Sequence, residues 1–136
     1  MRIDLHLCFD GRCAEAFTFY RECFGGEIVS LVRWGETPNN SGMPPEWVDK
    51  VCHATFVAGD IHLCGVDVPP GQFTHPQGFF ALLGVDTPTE AQRIFSLLEK
   101  GGRVTMPLQE TFWAARYGSL VDRFGVPWEI NCSPSS

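Results

Sequence analysis

Apolar residues fall in short blocks whose spacing changes along the chain. Ile3 to Phe9 is brief and apolar-rich, which predicts a strand, and Asp10-Gly11 breaks it. Apolar positions then fall at Cys13, Ala16, Phe17, Tyr20 and Phe24. That spacing lines one face of a helix, and Gly25-Gly26 ends it. Glu27 to Trp34 reads as a strand. Residues 36–47 carry Pro38, Asn39, Asn40, Gly42, Pro44 and Pro45, which predicts a loop or flap. Val51 to Val57 and Ile61 to Val66 are two strands around Ala58-Gly59-Asp60, a hairpin signal.

After a break from Pro69-Pro70-Gly71 to about Gln77, the pattern restarts. Phe79 to Val85 predicts a strand. Thr87-Pro88-Thr89-Glu90 predicts a helix start, with threonine as cap, proline in the first turn and glutamate reaching back. Ala91, Ile94, Phe95 and Leu98 form that helix's apolar face, and Gly101-Gly102 ends it. Val104 to Leu108, Tyr117 to Val121 and Pro127 to Asn131 complete a second set of strands. Each half therefore reads strand, helix, glycine pair and three strands, with Gly59 and Gly125 aligned. The expectation is an α+β chain of tandem βαβββ modules forming curled mixed sheets: one domain over 1–136, with internal repeats at 1–68 and 77–136. Neither half carries enough core to stand alone.

Composition narrows the function. With 136 residues, 44% apolar and 19% charged, the chain is globular in character. A formal net charge of −6 disfavours nucleic acid and anionic membrane surfaces as partners. No apolar run approaches a membrane span, and the start Met-Arg-Ile-Asp-Leu-His lacks an apolar signal core, so the expected compartment is the cytoplasm. The six cysteines, mostly inside apolar runs and without a CxxC pair, read as reduced core thiols.

Two stretches carry a resemblance. Phe9-Asp10-Gly11-Arg12-Cys13-Ala14-Glu15-Ala16 with Phe19-Tyr20 and Phe24-Gly25-Gly26 is one. Met106-Pro107-Leu108-Gln109-Glu110-Thr111-Phe112-Trp113 followed by Asp122-Arg123-Phe124-Gly125-Val126-Pro127-Trp128 is the other. Both resemble the PhnB-like branch, also called 3-demethylubiquinone-9 3-methyltransferase-like, of the glyoxalase/bleomycin resistance/dioxygenase (vicinal oxygen chelate) superfamily. No GxGxxG turn follows a strand and opens a helix, so the sequence offers no loop of that kind for S-adenosylmethionine.

The resemblance implies two curled sheets forming a cup for a metal or small ligand, and often a homodimer. It also implies inward-facing metal ligands on the first and last strands of each half. Glu129 falls on one such position and His6 on another, although a one-residue slip would turn His6 outward. Counting from Gly59 against Gly125 assigns Leu63 to a third position, and counting back from Val85-Asp86 assigns Phe80 to the fourth. Neither side chain coordinates a cation. The expectation is thus a small-molecule binder without the intact four-ligand site and with no assured cofactor. If a divalent metal binds, His6 and Glu129 are the residues left to hold it. The alternative is an enzyme of lyase, isomerase or dioxygenase type using an altered metal site or Glu129/His6 acid-base chemistry. Gln109, Trp113, Arg116 and Tyr117 form a polar-aromatic stretch suited to a ligand pocket. Trp34 and the proline-rich loop behind it are candidates for a lid.

Overall fold

The computed structural model describes residues 1–134. Its order is β1 (Leu5–Phe9), α1 (Cys13–Phe24), β2 (Glu27–Arg33), β3 (Val51–Ala58), β4 (Ile61–Asp67), β5 (Ala81–Val85), α2 (Pro88–Leu98), β6 (Arg103–Gln109), β7 (Arg116–Val121) and β8 (Pro127–Cys132). The stretch read as a loop holds three short 3₁₀ turns at Trp34–Glu36, Pro38–Gly42 and Pro45–Trp47. The chain divides into two compact units, Met1–Thr74 and His75–Ser136. Each holds one mixed four-stranded sheet, ordered β1-β4-β3-β2 in the first and β5-β8-β7-β6 in the second. Within each sheet the first strand runs parallel to the fourth and the remaining pairs are antiparallel, as duplicated βαβββ modules require.

In the first unit, α1 buries Cys13, Ala16, Phe17, Phe19, Tyr20 and Cys23. The Phe17 ring meets Phe9, Tyr20 and Phe56 at centroid distances of 6.2, 6.1 and 6.1 Å, the spacing of a packed aromatic cluster. Burying a side chain of that size contributes roughly 1.5–3 kcal/mol. The close approach of helix to sheet needs Gly65, where a Cβ would lie 2.7 Å from both Cys13 Sγ and the Phe17 ring. Helix α1 has no side-chain cap of its own. Asp67, 1% exposed at the end of β4, takes that role. Its Oδ1 accepts from the Gly11 and Cys13 amides at 3.0 and 2.9 Å, and its Oδ2 from the Val51 amide at 2.8 Å. Burial, then the Asp67 charge, then Cys8 push the Cys13 thiol far above the usual range. All six cysteines are free thiols.

In the second unit, α2 packs Ala91, Ile94, Phe95 and Leu98 inward, alongside a buried core that includes Leu120, Trp128 and Ile130. Thr87 caps it by accepting from the Glu90 amide at 3.1 Å. Glu90 does not reach back as the sequence pattern predicts; it pairs with Arg93, which lowers its pKa. After each helix a glycine is required sterically. A Cβ at Gly26 would strike the Val57 carbonyl, and one at Gly102 the Val121 carbonyl.

Those contacts fix how the two modules correspond, and they correct the alignment of Gly59 with Gly125. Gly65 pairs with Ala54 and faces α1. Gly118 pairs with Ile130 and faces α2, a Cβ there lying 2.8 Å from the Phe95 ring. Ala54 thus corresponds to Gly118, Val57 to Val121 and His62 to Pro127. The turn after Val57 holds four residues, 58–61, before His62; the turn after Val121 holds five, 122–126, before Pro127. The extra residue shifts every later position in β8 by one. Cys64, not Leu63, is the counterpart of Glu129.

Candidate functional site

Side chains alternate between the two faces of a strand. In the second sheet Gly118 and Ile130 face α2, so Tyr117 and Ser119 of β7, Glu129 and Asn131 of β8, and Leu82 and Gly84 of β5 lie on the opposite, open face. Glu129 faces this side, half-buried, and the Tyr117 hydroxyl donates to its Oε2. The two residues sit diagonally on neighbouring antiparallel strands, where Ser119 is the direct partner of Glu129. Ser119 Oγ and Thr105 Oγ1, 2.7 Å apart, satisfy one another. Met106 is the β6 partner of Ser119, and Gln109 is the partner of Tyr117.

The loop between β6 and β7 brings aromatic rings to the same place. Thr111 N donates to Ala114 O at 3.1 Å, Ala114 N to Thr111 Oγ1 at 3.1 Å, and Ala115 N to Cys132 O at 2.8 Å. These bonds pin the loop to β8. The Trp113 ring meets Tyr117 edge-on at 5.3 Å, and Phe112 meets Trp113 at 4.8 Å. Phe112 is 95% and Trp113 47% exposed. The result is a carboxylate held by one phenol, beside a run of three rings of which Phe112 and Trp113 are exposed.

Several expected members lie elsewhere. Phe80 precedes β5, and the residue paired with Glu129 is Leu82, two positions later. Leu63 is buried on the α1 side, between Leu5 and Phe56, and is a core residue. Arg116 shares the helix-side register of Gly118; it donates to the Ala115 carbonyl at 2.7 Å and lines a shallow depression with Pro88, Thr89, Gln92 and Arg93. The Trp34 indole donates to the Asp67 carbonyl at 2.9 Å, which ties it to the end of β4.

His6 lies on the open face of the first sheet. It is exposed and paired with Cys64, and its ring is 6.1 Å from that of His53, edge-on. His53, Cys64, Leu82, Met106 and Phe112 were not among the sequence candidates. Only strand register and loop contacts bring them to these positions.

With the register corrected, the four metal-ligand positions implied by the resemblance are occupied by His6, Cys64, Leu82 and Glu129. Leucine supplies no donor, and Glu129 is engaged by Tyr117. Among the described residues no group of three or more His, Cys, Asp or Glu side chains is placed to hold a metal ion. These residues do not fit the four-ligand site.

Residues 2–130 match the model of the Glyoxalase/Bleomycin resistance protein/Dioxygenase superfamily. The chain belongs to this superfamily. Among curated relatives, Protein YjdN of Escherichia coli (strain K12) is 32% identical over 96% of this chain and 95% of its own. Among solved structures, protein PA1353 from Pseudomonas aeruginosa is 39% identical with a TM-score of 0.87, covering 99% of each chain. A PhnB protein from Bacillus cereus is 27% identical with a TM-score of 0.82, covering 98% of this chain and 100% of that one. These superfamily likenesses agree with the paired modules. Among the described residues no helix is long and apolar enough to cross a membrane.

Proposed function

We propose that this superfamily member binds a small organic molecule on the open face of its second sheet, without the four-ligand metal site. The carrying observation is the Tyr117 hydroxyl donating to Glu129 beside the exposed Trp113 ring. A few fixed polar groups against apolar walls are what small-molecule sites are made of. Tyr117 holds Glu129 in one orientation and leaves a carboxylate oxygen for the ligand. Leu82, exposed and the direct β5 partner of Glu129, supplies apolar surface beside the pair.

The enzyme reading is favoured by the same hydrogen bond, because a phenol donating to a carboxylate is a path for a proton. It gives Glu129 the role of base and Tyr117 that of acid, and leaves His6 outside the step. Pairing of two chains and a cytoplasmic location belong to the same proposal. Each sheet presents two edge strands, β1 and β2 or β5 and β6, that a second copy would protect.

The test is capture. Wild-type protein is incubated with a small-metabolite extract, separated from unbound material, denatured and read by mass spectrometry. A mass retained by the wild type should fall at least about tenfold in Glu129→Gln, the scale expected when a charged hydrogen-bond acceptor is lost. Tyr117→Phe should lower it less, and both variants should melt cooperatively. Equal retention by Glu129→Gln and wild type would overturn the site.

A further inference from the structure

The open face of the second sheet carries its carboxylate beside aromatic rings and its guanidinium on the edge strand. By register it holds one carboxylate, Glu129, and one guanidinium, that of Arg103 on edge strand β6; among the described residues Glu129 is in no ion pair and has no hydrogen bond beyond that of Tyr117. Thr105 and Ser119 are satisfied by each other. The nearby guanidinium of Arg116 is committed to the Ala115 carbonyl on the helix side. Arg103 pairs with Val121 at the far end of edge strand β6. By that register Arg103 lies on the same face as Glu129, one same-face position beyond Ser119 and two strands from Glu129.

Beside the carboxylate stand three aromatic rings in edge contact, Phe112, Trp113 and Tyr117. Aromatic faces are electron-rich and attract a cation over the ring, most strongly for tryptophan. An anion would be repelled by both features. A neutral hydroxyl would gain a hydrogen bond alone. An ammonium group gains a charge-assisted hydrogen bond to Glu129 together with the ring faces, and its hydrocarbon portion covers Leu82.

We infer that the ligand class of this face is a small organic cation, an ammonium group on an alkyl or aryl stem. The inference rests on the binding site proposed above. It is tested on the full chain by calorimetric titration with three probes of one shape: 2-phenylethylammonium, 2-phenylethanol and phenylacetate. The ammonium should bind at least tenfold more tightly than the alcohol, and phenylacetate should show no saturable binding. Glu129→Gln should bring the ammonium down to the level of the alcohol, and Trp113→Ala should weaken both.

An alcohol or carboxylate that binds as well as the ammonium overturns the inference. So does a preference that survives Glu129→Gln, or an absence of binding by all three probes. In those cases the capture experiment still decides the site by itself: a neutral or anionic metabolite retained in a Glu129-dependent way keeps the site and removes the ammonium.

Discussion

Replacing Asp122 with alanine should lower the unfolding free energy by about 3–5 kcal/mol, because three buried donors lose a charged acceptor at once. Asp122 is 3% exposed. Its Oδ1 accepts from the Phe124 and Val126 amides at 2.8 and 3.0 Å, and its Oδ2 from the Trp128 indole at 2.9 Å. The carboxylate is the centre around which the five-residue turn closes, with Gly125 at φ +91°. Against a typical stability of roughly 5–15 kcal/mol, this loss is large. Asp122→Asn keeps one carbonyl oxygen for the two amides but sets an NH₂ against the indole donor, so it should lose about half as much. Urea unfolding of the three proteins checks the order, and a loss below about 1 kcal/mol for alanine would contradict it.

Asp67→Ala should destabilise the first unit by a similar amount, about 3–5 kcal/mol, by releasing the Gly11, Cys13 and Val51 amides. The loss reaches helix α1 across the sequence, whereas the Asp122 bonds stay within one turn and the strand that follows it. Helix α1 loses its only described cap and the negative charge near its N-terminus. The same charge helps raise the Cys13 thiol, so its removal lowers the thiol's pKa while burial keeps part of the shift. Alkylation of native protein, located by mass spectrometry, should reach Cys13 faster in Asp67→Ala than in wild type. Asp122→Ala, under conditions where it stays folded, should leave Cys13 as protected as before. Unchanged protection in Asp67→Ala would refute the capping role.

The elements were legible in the sequence because the signals for them are local. The spacing of Cys13, Ala16, Phe17, Tyr20 and Phe24 and the glycine pair behind them give α1 to within a residue. Thr87-Pro88 gives the start of α2. What the sequence hid is register, which depends on pairing across strands. Gly59 and Gly125 look alike, yet the second turn is one residue longer, and one residue flips a strand's faces. This is why Leu63 looked like a site position and proves to be core, while Cys64 takes its place.

Phe79 and Phe80 extend the apolar run of β5 without joining the strand, so counting back from Val85-Asp86 ran two residues past Leu82. Arg116 and Tyr117 are neighbours in a polar-aromatic stretch, but alternation sends them to opposite faces. Trp34 looked free to cover a ligand, whereas its indole is held at Asp67. Glu129 was legible as a carboxylate among bulky apolar neighbours; its tie to Tyr117 was not, because the two are twelve positions apart in sequence.

The most direct measurement is amide chemical-shift mapping of isotopically labelled protein titrated with the metabolite fraction that the wild type captures. Shifts should concentrate on Leu82, Trp113, Tyr117, Ser119 and Glu129, and be lost in Glu129→Gln. Shifts that instead gather on His6, His53 and Cys64, with Glu129 and Tyr117 unmoved, would contradict this site.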